Sequence, residues 1–581
     1  MKKTKIVATI GPASSDPTIL KDMIFSGVNV CRLNFSHGTH ESHKKTIDMI
    51  KSVREELSKP IAIMLDTKGP EIRLGDFKDE EGVFLTQGDT YVLTGEEVLG
   101  DAHHATVSYK ELAKDVAVGD HILIDDGLVD LEVTAIDGLT ITTKVLNDGQ
   151  IKGHKGVNVP GAKVRLPAMT QKDEGDILFG IEEGVDFIAA SFIRRSEDVL
   201  AIRKFLEENG GESIRIISKI ENGEGVENMA DIIRTSDGVM VARGDLGVEI
   251  DPEEIPLVQK DMIAKCVAQA KPVITATQML DSMMRNPRPT RAEVTDVANA
   301  IFDGTSAIML SGETASGKYP VQAVKTMARI ALRTEEALPY DDILTKGTNF
   351  APTTTNAIGR STCFIARDLK AKAILTATSS GYTSRAIAKF RPAQMIIAAT
   401  TSEDVCRSLS LDWGVEGIVT AYGDTTDSII HKSIDKALEA NLLTEGDLVV
   451  LTAGVPVGVS GTTNLIKVHT IARTLATGMG LGEQVVSGRA FVAQDDNLHE
   501  FQEGDILIVD GVDGRVKDLV DKAAGLVARE GGLTSPSAIV ALHTATTSIV
   551  GVEGLESLIH KSRITLDPES GRIFDGDVDI K

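Results

Sequence analysis

Ile216-Ile217-Ser218-Lys219-Ile220-Glu221-Asn222 is the stretch where a buried apolar run gives way to charge. Side chains two positions apart on a strand share a face, so a strand ending here carries Lys219 and Glu221 into the same small volume. A Gly-rich turn follows at once, with Gly223 and Gly225. Two readings are open at this point. The pair is a structural ion bridge, or it is an ammonium and a carboxylate placed side by side for chemistry. The other strand ends decide between them.

Seven further runs have the same short, β-rich, apolar form. They are Ile6–Ile10, Val28–Leu33, Ile61–Leu65, Phe187–Ala190, Gly238–Val241, Pro272–Ala276 and Ala307–Leu310, and Ile214–Ile217 makes eight. Segments of helical period lie between them, among them Pro17–Phe25, Glu41–Leu57, Asp198–Glu208 and Leu257–Gln269. Strands alternating with helices eight times predict an α/β chain built on a (β/α)8 TIM barrel. In that fold the functional groups collect at the C-terminal ends of the strands. Those ends read Arg32, Asn34, Ser36 and His37; then Asp66-Thr67-Lys68; then Arg243-Gly244-Asp245; then Thr277-Gln278; then Ser311-Gly312-Glu313. With Lys219 and Glu221, this is more charge than a structural rim needs, and it points to binding of a metal ion and an anion.

A plain barrel does not account for Pro70 to Pro167. That stretch carries Gly and Asp turns and alternating runs at His121–Ile124, Asp130–Ala135 and Leu139–Val145. It predicts an all-β insert between the third strand and its helix, placed at the catalytic rim where it can act as a lid. After Leu338-Pro339 a new α/β pattern begins, with a helix over Asn356–Leu369 and a strand over Ala373–Thr376. The loop Thr378-Ser379-Ser380-Gly381-Tyr382-Thr383 and the helix Ser384–Phe390 come next. Strands at Met395–Ala399, Gly417–Thr420 and Leu448–Thr452 complete a doubly wound domain. A hydroxyl-rich loop opening a helix is an arrangement that binds anions. A last segment, set off by Gly478-Met479-Gly480, has its own strands, a helix at Val516–Ala524 and a turn at Gly531–Ser537. The expected domains are therefore residues 1–69 and 168–340 (barrel), 70–167 (lid), 341–474 (α/β) and 475–581 (an extra C-terminal domain).

Composition narrows the partners. A net charge of -24 argues against nucleic acid and against anionic membrane surfaces. No apolar run reaches the ~18 residues of a membrane span. The cysteines Cys31, Cys266, Cys363 and Cys406 are scattered without ligand spacing and read as reduced thiols of a cytoplasmic protein.

The motifs now support a comparison. Thr9-Ile10-Gly11-Pro12, Arg32-Leu33-Asn34-Phe35-Ser36-His37-Gly38 and Leu65-Asp66-Thr67-Lys68-Gly69-Pro70-Glu71-Ile72-Arg73 occur in order. Ile217–Asn222, Met240-Val241-Ala242-Arg243-Gly244-Asp245-Leu246-Gly247, Ala276-Thr277-Gln278-Met279-Leu280, Pro287–Glu293 and Met309–Thr314 follow. Through residue 474 the chain resembles the pyruvate kinases, bacterial type. The resemblance implies phosphoryl transfer from phosphoenolpyruvate to ADP, giving pyruvate and ATP, by a cytoplasmic, allosterically regulated homotetramer. It implies that Glu221 and Asp245 hold Mg²⁺ or Mn²⁺, as hard oxygen ligands suit. It implies that Asn34, Ser36, Asp66 and Thr67 hold K⁺. Glu71 marks the K⁺-dependent members, where K⁺-independent ones carry Lys. Arg32, Lys219, Gly244, Asp245 and Thr277 become substrate contacts, with Lys219, Arg32 and Thr277 catalytic. His37, Arg73, Lys155 and Asp126 become nucleotide contacts, and Thr378, Ser380 and Thr383 effector contacts.

Two departures qualify the likeness. Some members activated by fructose 1,6-bisphosphate use Trp and Arg in a later loop. Here that loop reads Ala453-Gly454-Val455-Pro456-Val457-Gly458, so a monophosphate such as ribose 5-phosphate or AMP is the expected activator. The tail resembles the swivelling phosphohistidine domain of phosphoenolpyruvate-utilising enzymes, through Gly504–Leu507, Gly531–Ser535 and Ala538–Ala541. Pro536 stands where that family carries its His, and His543 lies one or two helical turns away. The tail is expected to keep the fold and lack the chemistry. The competing functions are a catalytically silent metabolite-binding regulator and a phosphoenolpyruvate-dependent dikinase acting through the tail.

Overall fold

The structure, a computed structural model, describes residues 2–346, 350–423, 425–454 and 463–578. Eight parallel strands close a barrel: β1 (Lys5–Thr9), β2 (Val30–Asn34), β3 (Ala62–Asp66), β4 (Phe187–Ala190), β5 (Arg215–Ile220), β6 (Gly238–Ala242), β7 (Val273–Ala276) and β8 (Ala307–Leu310). They run in sequence around the barrel, and β8 pairs with β1 to close it, with Lys5 opposite Ala307. Alternation along each strand sorts the side chains. Ile216 and Ile220 pack outward among the helices, while Ile217 joins Val7, Met64, Phe187, Met240 and Ile274 inside the barrel. Lys219 shares the inward face of Ile217 and stands one pleat higher. Burial of each such side chain is worth about 1.5–3 kcal/mol, which is why these runs fold as strands covered on both faces.

The apolar run Ile214–Ile217 stops three residues before β5 does. Ser218 and Lys219 look like a polar exit in sequence, yet the ladder with β6 continues to Ile220 opposite Val241. Ser218 is tolerated because its Oγ lies 2.6 Å from that of Ser236. The expected Gly-rich turn after it is a short helix, Gly223–Glu227. Asn222 caps that helix by accepting from the Gly225 N–H at 2.8 Å. Hydroxyl and carboxylate caps start the flanking helices in the same way: Asp16 before Pro17–Ser26, Thr39 before His40–Glu56, Thr170 before Gln171–Glu182 and Thr290 before Arg291–Asp303.

The insert between β3 and the helix Gln171–Glu182 is all-β, as expected. Its main sheet has six strands, in the order Val157–Asn158, His121–Ile124, Val129–Asp137, Thr140–Val145, Thr90–Thr94 and His104–Thr106. Tyr91, Leu93, Ile122, Leu131 and Val133 form its own core.

By internal packing the chain forms two compact units. One comprises Met1–Asp368, Ile374–Tyr422 and Thr452–Ile466; the other comprises Leu369–Ala373, Gly423–Leu451 and Lys467–Lys581. In the α/β region strand Met395–Thr400 lies between Ala373–Ala377 and Val415–Val419, and pairs in parallel with the latter. The helix after the hydroxyl-rich loop starts at Tyr382, two residues before the expected Ser384, and runs to Ala388.

The C-terminal segment is a closed seven-stranded barrel. Gly478-Met479-Gly480, expected as a separator, lies inside its first strand, Thr474–Leu481. Glycine is required there by close approach, since a Cβ on Gly480 would meet the Pro568 carbonyl oxygen at 1.9 Å. The expected helix Val516–Ala524 is only Lys517–Val520. Pro536 is the first residue of the helix Pro536–Thr544, and Ser535 caps it by accepting from the Ala538 N–H at 3.1 Å.

Among the described residues no helix is long and apolar enough to cross a membrane. All four cysteines are buried and free, and burial pushes the thiols of Cys31, Cys266 and Cys406 up to about 12.

Candidate active site

The mouth of the barrel holds a continuous array of charge. Arg32, at the inner face of β2, sends Nε to Asp66 Oδ2 at 2.6 Å and Nη1 to Thr9 Oγ1 at 2.9 Å. The other oxygen of Asp66 lies 3.1 Å from Lys219 Nζ. Lys219 also reaches Ser191 Oγ at 2.8 Å and Glu221 Oε1 at 2.9 Å, so all three of its donors are engaged. Glu221 Oε2 accepts from the Phe192 N–H at 2.7 Å. Asp66 and Glu221 are each only 1% exposed.

Burial sets the electrostatics. It acts to raise the Asp66 carboxyl, but Arg32 and Lys219 outweigh it and hold Asp66 below the usual carboxylate range. It acts to lower the Lys219 ammonium, but Asp66 and Glu221 outweigh it and hold Lys219 above its usual value. Glu221 is the group left short of cations. Burial pushes it up, Lys219 pulls it back and Asp245 pushes it up again, leaving it raised to about 7.

Gly244 and Asp245 sit in the first turn of the helix Arg243–Glu249, which follows β6. The Gly244 N–H donates to Thr277 Oγ1 at 2.9 Å, and that hydroxyl donates to the Ala276 carbonyl at 2.7 Å. Thr277 and Gln278 both have positive φ, 63° and 55°. A β-branched residue held there stores strain, of the kind found at functional sites. Arg243 is a strut for this loop and not a free anion contact. It is bidentate to Asp296 at 2.7 and 2.8 Å and donates to the carbonyls of Ala276 and Thr277. Glu313, read in sequence among the rim charges, is also structural. Its oxygens accept from the N–H groups of Leu280 and Ser311 at 3.0 and 2.8 Å, which satisfies it without a ligand.

Beside the array lies a cavity of about 380 Å³ between barrel and lid, lined by Arg73, Asp125, Asp126, Lys155, Asp245 and Glu249 among others. Asp125 and Asp126 both have positive φ, in the tight turn between the lid strands His121–Ile124 and Val129–Asp137. Lys155 pairs with Asp125 at 2.7 Å. Arg73, Lys155 and Asp126 are thus brought together; His37 does not line this cavity and is exposed on the loop after β2. Of the residues expected to hold a monovalent cation, Asn34 and Asp66 are register partners on β2 and β3. The Asn34 side chain accepts from the Ser36 N–H at 3.1 Å, and Thr67 Oγ1 accepts from the Ser191 N–H at 3.2 Å. Among the described residues no three His, Cys, Asp or Glu side chains cluster to hold a metal ion alone. Glu221 and Asp245 lie near enough for the Asp245 charge to help raise Glu221.

In the α/β region, Thr378 donates its N–H to the Ala399 carbonyl at 3.0 Å, and the Ser380 carbonyl accepts from Arg385 at 3.1 Å. Thr383 is buried, with its hydroxyl 2.9 Å from that of Thr463. Residues 455–462 of the later loop lie outside the described residues.

Sequence reading passed over Ser191, Phe192 and Arg194, which follow β4. A signal was present, because this polar strand end occupies the same rim as the others.

Family profiles match three regions: pyruvate kinase, barrel domain, over residues 1–324; pyruvate kinase, alpha/beta domain, over 356–469; and PEP-utilising enzyme, mobile domain, over 498–571. A pyruvate kinase of Sporosarcina psychrophila is 52% identical over 587 aligned positions, covering 100% of both chains. One of Geobacillus stearothermophilus is 51% identical over 585, again covering 100% of both. The crystal structure of a pyruvate kinase from Cryptosporidium parvum superimposes with a TM-score of 0.77 at 42% identity, covering 81% of this chain and 96% of that one. With a matching barrel profile over more than half its length and full-length relatives at this identity, the chain belongs to the pyruvate kinase family.

Proposed function

We propose that this phosphotransferase moves the phosphoryl group of phosphoenolpyruvate to ADP, giving pyruvate and ATP, and that the array Arg32–Asp66–Lys219–Glu221 carries the reaction. Phosphoryl transfer passes through a loose transition state, so catalysis is positioning plus stabilisation of oxygen charge. Arg32 offers a forked guanidinium to the phosphate, and Lys219 an ammonium to the transferring group. In the array every Lys219 donor is taken. Glu221 turning its carboxylate to a divalent cation would release one of them toward a phosphoryl oxygen.

The donor set fits Mg²⁺ or Mn²⁺. Glu221 and Asp245 are hard oxygen ligands, and their mutual repulsion, which helps raise Glu221, is relieved by a cation. When bound, that ion would neutralise charge developing on the substrate oxygens. Asn34, Ser36, Asp66 and Thr67 supply neutral oxygens and one carboxylate, a set suited to K⁺. Arg73, Lys155 and Asp126 face the cavity where the nucleotide would lie, and His37 would reach it only from the rim. Thr277, fixed between Gly244 and Ala276, would stand near the enolate carbon and order the water that protonates it.

Thr378, Ser380 and Thr383 would receive the phosphate of an activator, ribose 5-phosphate or AMP in preference to fructose 1,6-bisphosphate, in a cytoplasmic homotetramer. The tail, with Pro536 at a helix start, would act without phosphoryl transfer. A coupled assay for pyruvate, with Mg²⁺ and K⁺ varied, tests the reading. Turnover requiring both ions supports it, and no pyruvate under any condition would leave a silent regulator.

A further inference from the structure

Four residues after β4 touch everything that has to move together. Ser191 Oγ lies 2.8 Å from Lys219 Nζ and 3.4 Å from Asp66 Oδ1, and it donates to the Thr67 carbonyl at 2.7 Å. The Phe192 N–H is held by Glu221 Oε2. The same segment supports both connections of the lid. On the entering side Gly69, with φ +75°, lies so close that a Cβ would meet Ser191 Cβ at 2.7 Å and the Phe192 ring at 2.8 Å. On the returning side the Arg194 guanidinium donates to three carbonyls of the connecting segment: Val164 at 2.9 Å, Leu166 at 2.7 Å and Pro167 at 3.2 Å. Arg194 is only 7% exposed. Asp198 holds its backbone N–H at 3.0 Å, and Asn228 donates to its carbonyl at 3.0 Å.

The backbone between these contacts has little freedom to absorb a shift. Phe192 has φ 55°, a left-handed conformation that a bulky side chain occupies only in a narrow well. A flexible loop would dissipate a movement of Glu221. Here two positions separate the amide held by Glu221 from the guanidinium that clamps the lid.

We propose that Ser191–Arg194 couples the Glu221 carboxylate to the position of the lid, with Arg194 as a positioning residue for phosphoryl transfer. The inference deepens the proposed function, since it rests on Glu221 holding the divalent ion. When Glu221 turns toward a cation, its hold on the Phe192 amide changes, and the lid hinge follows through Arg194. The coupling is reciprocal, so a closed lid presents Glu221 in the geometry that binds the ion.

The test uses the full chain with Mn²⁺ as probe. Mn²⁺ binding is read by electron paramagnetic resonance, lid order by hydrogen exchange over residues 70–167, and turnover by steady-state kinetics. In the natural chain Mn²⁺ should slow exchange in the lid. Arg194→Met should keep Mn²⁺ affinity within about threefold and lose the slowing. It should also lower kcat/KM for ADP by roughly tenfold, with a smaller change for phosphoenolpyruvate. Arg194→Lys, with one ammonium for three carbonyls, should fall between, and it carries the comparison if the Met variant does not fold. Equal slowing by Mn²⁺ with and without the guanidinium would overturn the coupling while leaving Glu221 as the metal ligand. Mn²⁺ binding that Glu221→Gln does not weaken would overturn both.

Discussion

Asp66→Asn is the sharpest probe of the charge array. The natural carboxylate serves two cations at once, Arg32 at 2.6 Å and Lys219 at 3.1 Å, while 1% exposed. The amide has the same volume but one acceptor oxygen, so its NH₂ group must face an N–H of Arg32 or Lys219. At an effective dielectric near 20, each cation–carboxylate contact at this range is worth about 5–6 kcal/mol before the desolvation cost is subtracted. Breaking one side of a buried pair costs about 3–5 kcal/mol net. For a barrel of this size that corresponds to a fall in melting temperature of about 6–20 °C. The pH sign follows from the depressed Asp66. Its contribution is complete above the unfolded value near 3.8 and is lost as pH falls through the lower folded value, so the gap between natural chain and variant should close in acid. Added phosphoenolpyruvate, an anion for the same two cations, should raise the melting temperature of the variant more than that of the natural chain. Scanning calorimetry at several pH values, with and without the ligand, measures all three. A melting temperature lowered by less than about 2 °C, with equal ligand stabilisation in both proteins, would refute the reasoning.

Further expectations concern single groups. Lys219→Met should abolish pyruvate formation and leave Mn²⁺ binding largely intact, while Glu221→Gln should weaken Mn²⁺ binding by roughly tenfold or more; resonance titration and the coupled assay separate the two. Glu71→Lys should remove the requirement for K⁺, read as turnover in K⁺-free buffer; unchanged dependence on K⁺ would argue against the role of Glu71. Lys389, packed against Phe350 and Phe390, is lowered by burial to about 8. The unfolded chain therefore binds the extra proton between about pH 8 and 10.5, and stability should rise with pH across that window. Lys389→Met should flatten the rise in denaturant melts of the two proteins.

Much of the barrel was legible because parallel strands are covered on both faces and so read as unbroken apolar runs. The apolar run Ile214–Ile217 understates β5 for the same reason in reverse, since Ser218 and Lys219 are polar but still laddered to β6. Lys219, Glu221, Arg32 and Asp66 could be picked out as charges at the mouth. Their bonding could not, because Asp66 and Lys219 are 153 positions apart in sequence. Glu313 carries the same letter as a ligand, and only its two backbone N–H partners mark it as structural. Nothing in the letters of Phe192 or Thr277 announces positive φ, as a glycine would have done. Gly478 and Gly480 sent the opposite false signal, because close approach to Val550 and to Pro568 respectively demands glycine as strongly as a linker does.

Closure of the barrel through β1 and β8 has a consequence for biosynthesis. Lys5 finds its partner only when Ala307 has left the ribosome. At about 5–20 residues per second, the first strand waits roughly 15–60 s with one edge open. That edge belongs to a segment with an apolar centre, Ile6-Val7-Ala8, the kind that recruits neighbouring chains. The lid, whose strands all pair within residues 83–158, is complete on the nascent chain long before then. Translation thus produces a folded lid on an unfinished barrel. Slowing synthesis after residue 170, by rare codons for example, should lower the soluble yield of this chain more than slowing it after residue 310.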